Sequence, residues 1–229
     1  DEDKLSFDEI VKFQSSTYAE LTDRTLSELI EFAETSSDTL LNNAAVVLKN
    51  WDRTLDISSE GSVLYVNWFN SLKKTKVFEV EFSKKDPLNT PSTLTEEAKK
   101  LLFKAAKKTK ETYGKLDISW GKVYETNYAN KNLKGGLGLS EVGSFNAGFY
   151  RPISKTKYTL LGGSAYTSVI EFGDKIKAKG ILSYGNTSQK DSPFYGDQLQ
   201  LLIDGELREI LFYQEDVDAH LSLKENIKN

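Results

Sequence analysis

The chain changes character at Trp120, and that switch limits its fold more than any other feature. Before it, apolar residues recur at helical spacing. After it, glycine is frequent (Gly135, Gly136, Gly138, Gly143, Gly148) and apolar residues gather in short runs. Helices first and strands last is the pattern of an α+β protein with an antiparallel sheet. The division predicts a mainly helical region over residues 1–114 and a mainly β region over 115–229, within one structural unit.

Local signals place the helices. Ser6 and Glu9 have capping-box spacing, in which the hydroxyl accepts from a free N–H and the carboxylate reaches back. Ile10, Val11, Tyr18 and Leu21 then recur near helical spacing, and Leu26, Leu29 and Ile30 continue the series. Asp38 is placed to cap a helix that carries Leu40, Leu41, Ala44, Ala45, Val47 and Leu48 toward Trp51. A third apolar stretch runs from Val63 to Leu72 and holds Trp68 and Phe69. Residues 84–95 form a polar, proline-containing connector. Thr93 with Glu96 is a further capping box, predicting a helix over 94–113 with Gly114 as its left-handed stop. Its stripe of Ala98, Leu101, Leu102, Ala105 and Ala106 is flanked by six lysines from Lys99 to Lys110. Such a face can meet anionic lipid or nucleic acid, but lysine stems over apolar surface read first as a solvated face.

The second half predicts strands at Tyr158–Leu161, Tyr166–Phe172, Lys175–Ser183, Leu199–Ile203 and Glu209–Tyr213. Phe172-Gly173-Asp174-Lys175 predicts a tight turn with positive φ at Gly173 and Asp174, joining an antiparallel hairpin. Asp204-Gly205 predicts a second turn of that kind.

Composition narrows the function. A net charge of −4 disfavours a nucleic-acid binder, and no apolar run approaches the roughly 20 residues of a membrane span. The chain has no Cys, which excludes disulfides, thiolate metal sites and Cys nucleophiles. It also has no Met, so a processed or trimmed polypeptide is expected.

No segment carries a recognisable catalytic set. His220 is the only histidine and lacks a positioned Ser and acid. Glu215, Asp216 and Asp218 read as a charged helix end, and neither they nor Asp52 and Asp56 have calcium-loop spacing. Lys134-Gly135-Gly136-Leu137-Gly138 lacks the Lys-Ser/Thr of a phosphate loop and predicts a mobile loop. No carboxylate pair stands in a context that implies burial. No catalytic, cofactor or metal residue is assigned, and no cofactor is expected.

Several segments are distinctive in order. The first is Phe7–Leu21, FDEIVKFQSSTYAEL. The second is Ala44–Phe69, with Trp51-Asp52 ending one helix and Ser59-Glu60-Gly61 before the next. The third is Trp120-Gly121-Lys122-Val123. The last runs from Gly163-Ser164 through the predicted hairpin to Gly180–Gln198, GILSYGNTSQKDSPFYGDQ. In it Gly185 and Asn186 suit a turn, Ser192-Pro193 an extended entry, and Asp197 and Gln198 can satisfy backbone groups. Together these blocks resemble the C-terminal part of the β chain of the penicillin acylase family of N-terminal nucleophile hydrolases. That family includes acyl-homoserine lactone and aculeacin-type acylases. Two departures stand out: Tyr124-Glu125-Thr126 replaces the usual basic residue after the Trp-Gly element, and Phe194 stands where His is frequent.

The resemblance implies a share of a four-layer αββα body and an amide hydrolase acting on penicillin-type or acyl-homoserine-lactone-type substrates. It implies an N-terminal Ser nucleophile whose own α-amine acts as base, with an oxyanion site of backbone N–H and Asn. These groups lie upstream of Asp1 in the family order. The chain alone is then inactive. Its expected partners are companion chains of the same precursor, namely the α chain and the N-terminal part of the β chain. A small acyl-amide is the expected substrate, with no nucleic acid and no membrane insertion. Its expected location is periplasmic or secreted. The alternative is a non-catalytic α+β binding module that buries its own core, and exposure of Trp51, Trp68 and Trp120 would speak for the partner model.

Overall fold

The computed structural model describes residues 4–87, 89–222 and 224–225. Asp1 lies outside the described residues, as does Leu88 of the connector. The chain divides into two compact units, Ser16–Ser164 and Asp1–Ser15 with Ala165–Asn229. It is α+β.

The larger unit packs four helices on one another: α2 (Thr22–Glu34), α3 (Thr39–Asn50), α4 (Ser62–Leu72) and α5 (Glu96–Tyr113). The Asp38 carboxylate accepts from the N–H groups of Leu40 and Leu41, so the predicted cap starts α3. Helix α4 is largely apolar and every residue from Ser62 to Trp68 is buried, as expected of a helix at a core centre. Its polar groups are therefore matched. Trp68 Nε1 donates to Ala98 O at 2.8 Å, Asn67 Nδ2 donates to Thr109 Oγ1 at 2.9 Å, and Tyr65 Oη shares a 2.8 Å bond with Thr25 Oγ1. Trp51 and Trp68 flank the Tyr65 ring at 5.0 and 5.3 Å. All three tryptophans are buried within the chain.

Two helical expectations shift. The apolar series from Ile10 to Ile30 is two helices, not one: α1 (Phe7–Gln14) and α2. Between them Ala19 N donates to Arg53 O and Leu55 N to Thr17 O, so Tyr18 and Leu21 lie on a segment held against the loop after α3. At α5 the cap is Thr95 rather than Thr93. Thr95 Oγ1 accepts from Ala98 N, while Thr93 O is taken by Glu79 N. Gly114, at φ 79°, ends the helix as predicted.

A five-stranded sheet follows: β1 (Tyr124–Tyr128), β2 (Lys131–Lys134), β3 (Gly138–Leu139), β4 (Ala147–Pro152) and β5 (Tyr158–Gly163), in the order β2-β1-β5-β4-β3. It is mixed rather than antiparallel, because β1 pairs with β5 and β3 with β4 in parallel. Strands β1 and β2 close through Ala129 and Asn130 at φ 51° and 58°. Trp120 stacks on Tyr124 with centroids 3.5 Å apart, and Tyr124 stacks on Tyr158 at 5.0 Å. Tyr150 meets Tyr124 edge-on. This aromatic row belongs to the same core cluster as the helices. The Gly135–Gly138 strip is no loose loop. Gly135 N donates to Tyr124 O, Thr126 Oγ1 to Gly135 O and Gly138 N to Asn146 O, and Leu137 is fully buried.

The smaller unit contains α1, β6 (Tyr166–Glu171), β7 (Lys177–Leu182), α6 (Leu199–Asp204), β8 (Arg208–Glu209) and α7 (Gln214–Ala219). Strands β6, β7 and β8 form an antiparallel sheet in that order. The capping box of Ser6 and Glu9 forms in full. The hairpin closes at Glu171 and Lys177, so its loop is wider than the predicted turn, and neither Gly173 nor Asp174 has positive φ. Tyr213 Oη, accepting from Ile176 N at 2.8 Å, holds that wider loop.

Two predicted strands are otherwise. Leu199–Ile203 is helical: Leu199 and Leu202, three apart, are the buried pair, and Gly205 caps the helix at φ 70° instead of making a hairpin turn. Of Glu209–Tyr213 only the first residue lies in a strand. Ile210 N adds one bond to Ala178 O, and Tyr213 then begins α7.

Candidate functional site

A groove of about 650 Å³ opens in the smaller unit, within the size range of small-molecule clefts. Phe7 at the start of α1, Ile176 and Ala178 at the start of β7, and Ile210 and Phe212 after β8 supply its apolar wall. Its three lysines are already paired. Lys179 Nζ lies 3.2 Å from Asp8, Lys177 Nζ 3.0 Å from Glu171, and Lys175 Nζ 3.7 Å from Asp216. Lys175 and Lys179 also stand over the rings of Tyr213 and Phe7. Glu209 also lines the groove, so its rim carries four carboxylates against three lysines and offers no excess positive charge to an anion.

His220 lines this groove, and its Nδ1 lies 2.7 Å from Asp216 O. The serine in the wall, Ser6, donates through Oγ to Glu9 Oε2 at 2.7 Å as part of the helix cap. The Glu9 carboxyl is held below its usual pKa by the Ser6 backbone N–H first and the Ser6 hydroxyl second. A carboxylate so engaged does not activate the hydroxyl as a nucleophile. The acidic residues Glu215 and Asp216 lie in the first turn of α7, where a helix N-terminus favours negative charge.

The larger unit has a second polar cluster, which the sequence reading did not single out. Glu125 Oε1 accepts from Asn127 Nδ2 at 2.8 Å and Asn132 Nδ2 at 3.0 Å, and Glu125 Oε2 accepts from Lys157 Nζ at 3.3 Å. The amide of Asn127, then that of Asn132 and the Lys157 ammonium, hold the Glu125 carboxyl below its usual pKa against the opposing effect of burial. Glu125 and Asn127 are two apart on β1 and so share a face, a signal present in the sequence Tyr-Glu-Thr-Asn-Tyr. With its partners satisfied, this carboxylate ties β1, β2 and the start of β5 together and has no free proton to move.

Asp52 and Asp56 prove to be loop anchors. Asp52 Oδ1 accepts from Thr54 and from Ser59 Oγ, and Asp56 Oδ1 accepts from Thr17 Oγ1. Gln198 satisfies the backbone as expected: its Oε1 accepts from Leu182 N, and its Nε2 donates to Asn186. Asp197 does not share that task, since its Oδ1 is buried with no partner. Ser192-Pro193 forms a turn, closed by Tyr195 N on Ser192 O, rather than an extended entry. Among the described residues no group of His, Asp and Glu is arranged to hold a metal ion, and no helix is long and apolar enough to cross a membrane.

Comparison with known proteins gives a consistent result. The model of the penicillin amidase family matches residues 1–219. Acyl-homoserine lactone acylase PvdQ of Pseudomonas putida is 24% identical over 97% of this chain and 30% of its own length. The protein of the same name from Pseudomonas fluorescens is 23% identical over 87% of this chain and 27% of its own length. That from Pseudomonas syringae pv. syringae is 24% identical over 75% of this chain and 23% of its own length. The chain thus spans less than a third of the curated relatives it matches.

Proposed function

The chain belongs to the penicillin amidase family, and from that premise we propose that it is the C-terminal part of an acylase that hydrolyses the amide between an acyl group and an amine. The observation that carries this reading is the pairing of extents: nearly all of this chain is matched, against at most 30% of each relative described above. Acyl-homoserine lactones are the substrates we favour, after the names of those relatives, with penicillin-type amides as the neighbouring class.

In this reading the residues of this chain do structural work. The nucleophile is a Ser at the N-terminus of another segment of the same precursor, with its α-amine as base. Backbone N–H groups and an Asn there stabilise the oxyanion. The helical region 1–114 and the β region 115–229 form one structural unit with those companion segments, as layers of an αββα body. The assembled enzyme works in the periplasm or outside the cell, and this chain alone has no activity.

A second reading has one observation in its favour. The larger unit buries Trp51, Trp68 and Trp120 by itself, as an independent binding module would. Assays separate the two. A long-chain N-acyl-homoserine lactone is incubated with the native preparation and with the isolated chain. The acylase reading expects homoserine lactone to be released by the first and not by the second. Tight binding of a partner or glycan by the isolated chain, with no hydrolysis by either sample, would favour the module.

A further inference from the structure

Between Ala98 and Lys110 helix α5 carries six lysines and not one acidic residue. Its buried residues Ala98, Leu102, Ala105 and Ala106 belong to the core of the larger unit. On the other side, Lys100, Lys104, Lys107 and Lys108 fall within about 100° of the helix circumference. Phe103 and Lys110 border that arc. These five lysines are all exposed, and Phe103 is 40% exposed beside them. From Lys100 to Lys110 the face runs about 15 Å along the helix.

A solvated lysine face is ordinarily laced with carboxylates three or four residues away, and this one is not. Lys99 is paired, with Glu28 and Glu96 at 3.2 Å each. Lys107 reaches Glu111 only at 3.9 Å. Lys100, Lys104, Lys108 and Lys110 have no ion-pair partner among the described residues. Their neighbours are like-charged instead. Lys100 with Lys104, Lys104 with Lys107 and Lys108, and Lys107 with Lys110 stand three or four apart, a spacing at which like charges destabilise a helix. A helix C-terminus favours a cation in its last turn, which accounts for Lys110 alone. The charge is also segregated along the chain. Residues 73–110 hold eleven lysines against five acidic residues, although the net charge of the whole is −4. So polarised a chain can be drawn to an anionic surface by its positive part.

We propose that the outer face of α5 attaches the protein to the headgroups of an anionic phospholipid bilayer, without crossing it. One side of one helix offers a line of charge rather than a cleft, which suits a planar partner. The lysine stems carry their ammonium groups to the lipid phosphates, and Phe103 enters the interfacial layer beside them. Clusters of about four to eight lysines on a helix are what anionic headgroups attract. The attachment goes beyond the acylase reading and does not depend on it. For an acylase of long-chain substrates it gathers enzyme and substrate at one surface, because a long acyl chain also partitions into bilayers.

Vesicle co-sedimentation of the native preparation tests this. Vesicles of phosphatidylcholine with roughly 30% phosphatidylglycerol are expected to bind it at least about tenfold more strongly than phosphatidylcholine alone, and the difference is lost at about 1 M salt. Lys104→Glu is expected to weaken that binding by about tenfold or more. It should not lower the melting temperature, because Lys100, Lys107 and Lys108 become its opposite-charge neighbours. Lys100→Gln with Lys108→Gln should weaken binding in the same way. Lys155→Glu, at an exposed position away from α5, makes the same change in net charge and should bind within about twofold of the parent. Equal binding to the two kinds of vesicle, or Lys104→Glu bound like the parent, overturns the proposal. Binding lost as fully in Lys155→Glu as in Lys104→Glu assigns the effect to net charge and overturns it too. Retention on heparin that Lys104→Glu abolishes, with no vesicle binding, assigns the face to a soluble polyanion and overturns the bilayer. None of these outcomes bears on the acylase reading, which is decided by hydrolysis.

Discussion

Gly61 lies so close to Trp51 that a Cβ built at Gly61 would come within 2.7 Å of Trp51 Cβ. Gly61 also sits at φ 105°, in the backbone region that other residues avoid, and it starts α4. The indole is fixed from its other end, where Nε1 donates to Thr54 O and Ser59 Oγ. One glycine therefore sets how the Trp51-Asp52 loop feeds the central helix. Gly61→Ala combines strain with overpacking and is expected to lower stability by about 2–4 kcal/mol. Urea unfolding should show the midpoint falling with little change in slope.

Gly121 presents the same kind of contact without backbone strain. A Cβ there would approach Ile57 Cγ2 to 2.6 Å, and one at Gly135 would approach Ile57 Cγ1 to 2.6 Å. This close approach explains the glycine of the Trp-Gly element. Gly121→Ala should cost about 1–3 kcal/mol. In the background of Ile57→Ala the same change should cost clearly less, and a double-mutant cycle on thermal unfolding measures the difference.

Asn67 and Thr109 form a buried polar pair between α4 and α5, and Thr109 Oγ1 donates onward to Ala105 O at 2.7 Å. Thr109→Val leaves the Asn67 amide without its acceptor and is expected to cost about 1–3 kcal/mol. Adding Asn67→Leu should recover part of that loss, because both partners are then apolar. Chemical denaturation of the three variants checks the order.

The Glu125 cluster gives a pH signature. Its carboxyl titrates below the usual carboxylate range in the folded chain, so in the acid window between the two values the unfolded chain binds more protons. The stabilisation is complete above the ordinary carboxylate pKa and is lost as pH falls through the folded value. Glu125→Gln removes this dependence and breaks the bond network, at a cost of about 1–3 kcal/mol near neutral pH. Its stability curve should be flatter than that of the parent below pH about 4.

Where side chains act on their own backbone, the sequence was sufficient. Ser6 with Glu9, Asp38 and Gly114 mark helix ends by local hydrogen bonds or φ alone. It misled where distant segments compete. Tyr18 and Leu21 keep helical spacing, yet the Arg53 carbonyl holds their segment out of any helix. Leu199–Ile203 reads as a strand because a short apolar run has no decisive period, and only the burial of Leu199 and Leu202 makes it a helix. The β1–β2 hairpin was invisible because its turn uses Ala129 beside Asn130 at positive φ. The Glu125 cluster needs Lys157, 32 residues away, and no local pattern reports that.

The central claim is that this chain is one part of a processed acylase. Intact mass analysis with N-terminal sequencing of the native, undenatured sample tests it most directly. The account predicts a co-purifying polypeptide that begins with Ser. A single folded, monodisperse species with the mass of this chain alone would contradict it.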